Sequence, residues 1–155
     1  MKIETRYLGR VDIEADKIMT FPSGLPGFSD KHDFVLLNFS KNDNFQVLQS
    51  IDDKDLAFIV TNPYQFYQDY EFKLDDSIRD TLDINKIEDV LVFSIVTLQE
   101  TLSQSTINLK APLILNRYSK LGKQYILNDD TYSMKQALVL EKRMQQRAKN
   151  DVSLD

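Results

Sequence analysis

The only histidine, His32, lies in the stretch SDKHD (29–33), where Asp33 could fix its tautomer and Ser29 could act as nucleophile, the arrangement of a hydrolase. Triad members ordinarily come from separate segments, and three neighbours in one polar loop seldom converge on a substrate. His32 therefore reads as a surface histidine. Asp52, Asp53 and Asp55 around Lys54 resemble the start of a calcium loop, but position six lacks the required Gly and position twelve the bidentate Glu. They read as a turn. Gly24-Leu25-Pro26-Gly27 has two glycines but no following Lys-Ser or Lys-Thr, and its proline removes an N–H that a phosphate cradle would use. Carboxylates are plentiful, yet no spacing selects a pair at the ~5–9.5 Å separation of glycoside hydrolysis. No catalytic set is legible, no metal site and no cofactor site.

Composition narrows the classes further. The 155 residues carry 24 Asp plus Glu against 19 Lys plus Arg, a formal charge of −5, with no Cys and no Trp. The absence of Cys excludes disulfides, zinc ribbons, iron–sulfur clusters and a thiol nucleophile. An acidic chain is a poor binder of phosphate backbones, which are held by clustered Lys and Arg, so no direct nucleic-acid ligand is expected. The charge is unevenly divided. Residues 43–89 hold 12 acids against 4 bases, whereas residues 134–150 hold 5 bases and one acid. Such an acidic patch attracts basic proteins over about one Debye length, ~8 Å at physiological salt; the plainer reading is a solvated surface.

The elements that would position these residues are mostly strands. Short β-branched and aromatic runs separated by Asp, Asn, Gly, Pro and Ser predict strands at 2–8, 10–13, 17–21, 33–38, 45–50, 56–61, 69–74, 90–98, 106–108, 113–116 and 124–127. Residues 75–82 (DDSIRDTL) predict a two-turn helix capped by Asp75. Residues 133–150 have helical spacing, with Ser133 and Gln136 as a candidate capping box. The expected fold class is mainly β: a small single-domain β-barrel-like fold (1–132) with a short helix and a C-terminal helical, basic tail (133–155).

In TFPSGLPGF (20–28) Pro and Gly shape a turn while Phe21 and Phe28 are placed to plug the core. Asn62-Pro63 ends a strand, because proline cannot donate to a ladder. Tyr64, Phe66, Tyr67, Tyr70 and Phe72 put five aromatics in nine positions, more than one sheet face comfortably buries. With Glu71 among them, they form a candidate protein-binding surface rimmed by carboxylates. The N-terminus alternates charged and apolar residues without a signal-peptide pattern, and the apolar runs end within about ten residues, short of the ~20 that span a bilayer. A cytoplasmic protein that does not insert in membranes is expected.

Taken in order, SGLPGF (23–28), VLQSIDDKDLAFIVTNPYQF (47–66), DYEFKL (69–74), TINLKAPLILN (106–116) and GKQYIL (122–127) resemble the FliW family of flagellar assembly factors. The likeness runs from the first strand to about Tyr132; the segment from Met134 onward is not part of it. The resemblance implies a non-enzymatic protein that binds flagellin and the translational regulator CsrA in exchange. When flagellin is exported, the freed factor binds CsrA, which releases the flagellin messenger RNA. For flagellin a helical terminus is the expected epitope. Asp52, Asp53, Asp55 and Glu71 are the candidate electrostatic residues, and the five aromatics at 64–72 the candidate anchors. Asn108 and Pro112 are read as shaping a strand break. Competing classes are a small cytoplasmic enzyme with an acidic cleft and a single-strand nucleic-acid barrel; the latter lacks a basic groove.

Overall fold

A computed structural model describes residues 1–39 and 44–138. The runs richest in β-branched and aromatic residues form the central strands: β4 (Asp33–Asn38), β5 (Gln46–Ser50), β6 (Ala57–Thr61) and β7 (Val90–Thr97). They are joined as antiparallel neighbours and extended on one side by β3 (Met19–Thr20) and on the other by β9 (Leu113–Asn116) and β10 (Gly122–Gln124). The seven-strand order is β10-β9-β7-β6-β5-β4-β3. A separate hairpin of β1 (Lys2–Glu4) and β2 (Arg10–Asp12) buries Ile3 and Ile13 with Val35.

The two ends of this order approach each other. Thr20 forms an isolated parallel bridge with Leu121, its N–H donating to Lys120 O at 2.7 Å. One bridge is not a ladder, so the sheet curls but the expected barrel does not close.

Both faces of the sheet are packed, which is why its strands read as almost continuous apolar runs. On the inner face Phe58, Phe93 and Ile95 join Phe21, Phe34, Leu48, Leu113 and Leu115. On the other, Ile59, Val92 and Val96 join Phe45, Phe66, Tyr70, Ile107, Leu109, Leu127 and Leu138. The expected short helix is present as α1 (Asp76–Thr81), with Asp75 Oδ1 accepting the Ile78 N–H at 2.9 Å. It seats Ile78 and Leu82 over Ile114.

In TFPSGLPGF the turn is confirmed: Gly24 has φ +66°, and a Cβ there would lie 2.6 Å from Phe28 O. Phe21 is fully buried, but Phe28 remains 39% exposed against Phe58.

Three expectations are corrected. Residues 69–74 form no strand: the Tyr70 hydroxyl donates to Leu109 O and the Glu71 N–H donates to the Tyr132 hydroxyl, so aromatic side chains hold this segment where a ladder was expected. The last long strand begins two residues earlier, at Gly122, although the Tyr125 and Leu127 N–H groups still donate to Pro112 O and Lys110 O at 2.8 Å. Finally, Gln136 and Ala137, expected to begin a helix, form a strand β11 (Gln136–Ala137) antiparallel to β8 (Thr106–Ile107). The buried apolar cluster that takes Leu138 fixes them as strand. The β fold thus continues past 132 to 138. The remainder of that expected helix lies outside the described residues.

Candidate protein-binding surface

β6 separates the two halves of the expected site. The acidic residues precede it and the aromatic segment follows it. From Asp55 to Asn62 the extended chain covers about 23 Å, so the structure does not bring Asp52, Asp53 and Asp55 together with residues 64–72.

The acidic turn is built by Gln49, which is fully buried. Its amide nitrogen lies 3.1–3.2 Å from the carbonyl oxygens of Ser50, Asp53, Lys54 and Leu56, and its oxygen accepts the Arg6 N–H at 3.0 Å. An amide has two N–H donors, so these four acceptors share them. Ser50 Oγ accepts the N–H groups of Asp52 and Asp53, and Asp53 Oδ1 accepts that of Asp55. The result is a tight turn with Asp52 and Asp55 exposed and Asp53 half-buried.

At the other end of β6, Pro63 and the Asn62 side chain start a single helical turn, and the chain leaves the sheet. Of the five aromatics, Phe66 and Tyr70 are buried, Tyr67 and Phe72 half-buried and Tyr64 exposed. Tyr70 is the hub. Its ring lies 4.8 Å from Tyr132, 5.3 Å from Phe72 and 5.7 Å from Tyr64, centroid to centroid. Burial, and then the neighbouring Tyr64 and Tyr132, push its hydroxyl far above the usual tyrosine range. It therefore remains a neutral donor to Leu109 O. The Tyr67 hydroxyl bonds to Ala137 O, tying the segment to β11. Most of these rings are thus core or supporting elements, and Tyr64, Phe72 and the exposed Glu71 are the surface members.

Phe72 and Glu71 open onto a groove of about 520 Å³ that also involves Lys73, Tyr125, Leu127, Asn128, Asp129 and Tyr132. Tyr125 donates to Asp75 Oδ2 at 3.3 Å; burial first, and Asp75 next, raise its hydroxyl. Thr131 holds the exposed Asp129 carboxyl below the usual range. Five of its eight wall residues come from 125–132, some sixty positions downstream of the aromatic run, so no local pattern announced it. The signal present was the repetition of Tyr at 125 and 132.

The hydrolase arrangement is not assembled. His32 Nδ1 faces Phe21 O at 2.9 Å, and Asp33 accepts from the Thr20 hydroxyl. Asn108 Oδ1 accepts the Ala111 N–H, shaping the break between β8 and β9. Among the described residues, no three His, Cys, Asp or Glu side chains are grouped to hold a metal ion, and no helix is long and apolar enough to cross a membrane.

The fold is thus a small, mainly β domain with an aromatic groove flanked by Glu71, Lys73 and Asp129. The family model described as FliW protein matches residues 2–138, and the chain belongs to the FliW family. It is 51% identical over 133 residues to the flagellar assembly factor FliW of Oceanobacillus iheyensis, covering 86% of this chain and 90% of that one. It is 44% identical over 135 residues to the FliW of Bacillus subtilis, with 87% and 94% covered. A crystal structure of the flagellar assembly factor FliW superposes with a TM-score of 0.86 at 36% identity, over 92% of this chain and 99% of the other.

Proposed function

We propose that this protein is a cytoplasmic flagellar assembly factor that acts by occupancy, binding flagellin in a chaperone-like complex and, when released, binding CsrA and relieving repression of flagellin synthesis. The observation that carries this reading is the groove beside Phe72 and Glu71, where aromatic rings are presented with a carboxylate rim. Its dimensions suit side-chain anchors of a protein partner. The acidic turn at Asp52, Asp53 and Asp55, at the far end of β6, contributes through its field. It attracts the basic surface expected of an RNA-binding regulator and raises the electrostatic cost of a phosphate backbone nearby.

Titration of the purified protein with flagellin and then CsrA, followed by calorimetry, tests this. Two saturable complexes are expected, each weakening the other at least ~10-fold, which is about 1.4 kcal/mol of coupling. Independent binding of both, or binding of neither, overturns the reading.

A further inference from the structure

β7 is an eight-residue strand that is only partly covered on one side. On that side β6 pairs with it through Thr61↔Ser94, Val60↔Ile95 and Ile59↔Val96, and then departs at Pro63. On the opposite side β9 pairs along Val90–Phe93 and β8 beyond it. The direction of the main-chain groups follows from two bonds: Arg117 N–H donates to Asp89 O, and Asn108 N–H donates to Ile95 O. Odd-numbered residues of β7 therefore turn their peptide groups toward β8 and β9, and even-numbered ones toward β6. Ser94 and Val96 meet β6 there. Val90 and Val92 do not. The Val90 N–H is taken by Ile87 O. The β6 ladder ends at Thr61↔Ser94, so the Val90 carbonyl and both peptide groups of Val92 lie beyond it on that side, where Pro63 has no N–H to offer.

The surroundings match an unfilled strand position. A groove of about 500 Å³ runs along this edge, flanked by Asn62, Tyr64, Ile87 and Arg117. Residues 90–93 are all half-buried, without the alternation of a covered strand, and Ile87 beside them is 78% exposed. Exposed edges are usually guarded by charge or proline; VLVF carries neither. Among the described residues Arg117 is the only charged member of the groove wall, and its guanidinium has no ion-pair partner there. Arg117 is thus a single cation among uncharged described wall residues, placed to meet a carboxylate.

We propose that the open edge of β7 at Val90–Phe93 binds an extended, acidic peptide segment of another protein, which adds there as a strand in line with β6. Main-chain bonds to Val90 and Val92 would hold it, and a carboxylate would meet Arg117. A helix could not satisfy this edge, because its own peptide groups are already paired. The proposal does not depend on which partners the aromatic groove takes.

The probe is an array of eight-residue peptides of alternating Val and Thr with one Glu at each position in turn, titrated into the full chain. Counterparts carry Lys for Glu, or N-methyl groups on alternate amides. We expect an acidic member to bind saturably and to slow exchange of the Val92 N–H at least ~10-fold, with Arg117→Glu and N-methylation each weakening it about tenfold. Retained affinity in the N-methylated peptide, or changes mapping to Tyr125 and Tyr132 instead, overturns the proposal. So does binding by no member, protection of Val92 in the free protein by its own chain, or dimerisation that buries the same edge.

Discussion

The Tyr70 hydroxyl donates to Leu109 O over 2.6 Å, joining the aromatic segment to the break between β8 and β9, 39 positions away. Both residues are buried, so the bond is shielded from water and its loss leaves a carbonyl unpaired. Tyr70→Phe should cost about 1–3 kcal/mol, and Tyr70→Ala about 3–5 kcal/mol through the added cavity. Urea denaturation checks both values, and equal stabilities for the two variants would show that the ring adds nothing beyond its hydroxyl.

Alkaline pH acts on the same residue. The hydroxyls of Tyr70, Tyr64 and Tyr125 are raised in the folded protein, mainly by burial. The unfolded chain therefore releases these protons first, and folding binds more protons than unfolding above the ordinary tyrosine pKa. Their contribution is present in full below about pH 10 and falls as pH rises beyond it. Denaturation midpoints should drop above that pH, and Tyr70→Phe should flatten the drop. A slope unchanged in the variant would contradict this.

Gln49 organises the acidic turn from inside. Replacing it by Met keeps the volume but strands the Arg6 N–H and the turn carbonyls, a loss of about 1–3 kcal/mol. By contrast, the triple change Asp52→Asn, Asp53→Asn and Asp55→Asn keeps an oxygen at residue 53 to accept the Asp55 N–H. That variant should stay as stable as the parent and associate more slowly with CsrA, with a flatter salt dependence. Stopped-flow mixing at two ionic strengths separates the outcomes; identical on-rates would remove the electrostatic role.

Leu138 is fully buried and β11 pairs with β8. A chain ending after Ser133 should therefore be less stable than one ending after Leu138. Loss of the Leu138 side chain alone is worth roughly 2–5 kcal/mol by analogy with large-to-small core changes. Thermal melts of the two truncations decide it, and coincident melts would mean that the fold ends at 132 after all.

Ser94 Oγ is buried with no hydrogen-bond partner among the described residues. Removing an unsatisfied hydroxyl relieves a desolvation cost, so Ser94→Ala should be neutral or stabilising by up to about 1 kcal/mol. A clear destabilisation in urea would reveal a partner for that oxygen.

The strands were legible wherever burial on both faces left continuous β-branched runs, as at 33–38 and 90–97, and Asp75 announced α1 by its capping position. What local pattern could not express was tertiary. Residues 69–74 alternate like a strand, yet their hydrogen bonds go to side-chain hydroxyls and a carbonyl from distant segments. Ala137 and Leu138 fit a helical period equally well, and only the edge offered by β8 and the buried cluster that takes Leu138 make Gln136–Ala137 a strand. The aromatic cluster was visible as composition, but which rings would be buried depended on Tyr132 and Leu109. The unfilled side of β7 left no mark, because an edge exists only once the neighbouring strand has turned away.

The Thr20–Leu121 bridge has a kinetic side as well. It joins residues separated by about a hundred positions, a closure whose entropy must be spent before the contact returns anything. On the ribosome, the first member of the sheet waits for nearly the whole domain to emerge before its seam can form. Until then both outer strands stand open, and the nascent chain is at its most exposed to unwanted association.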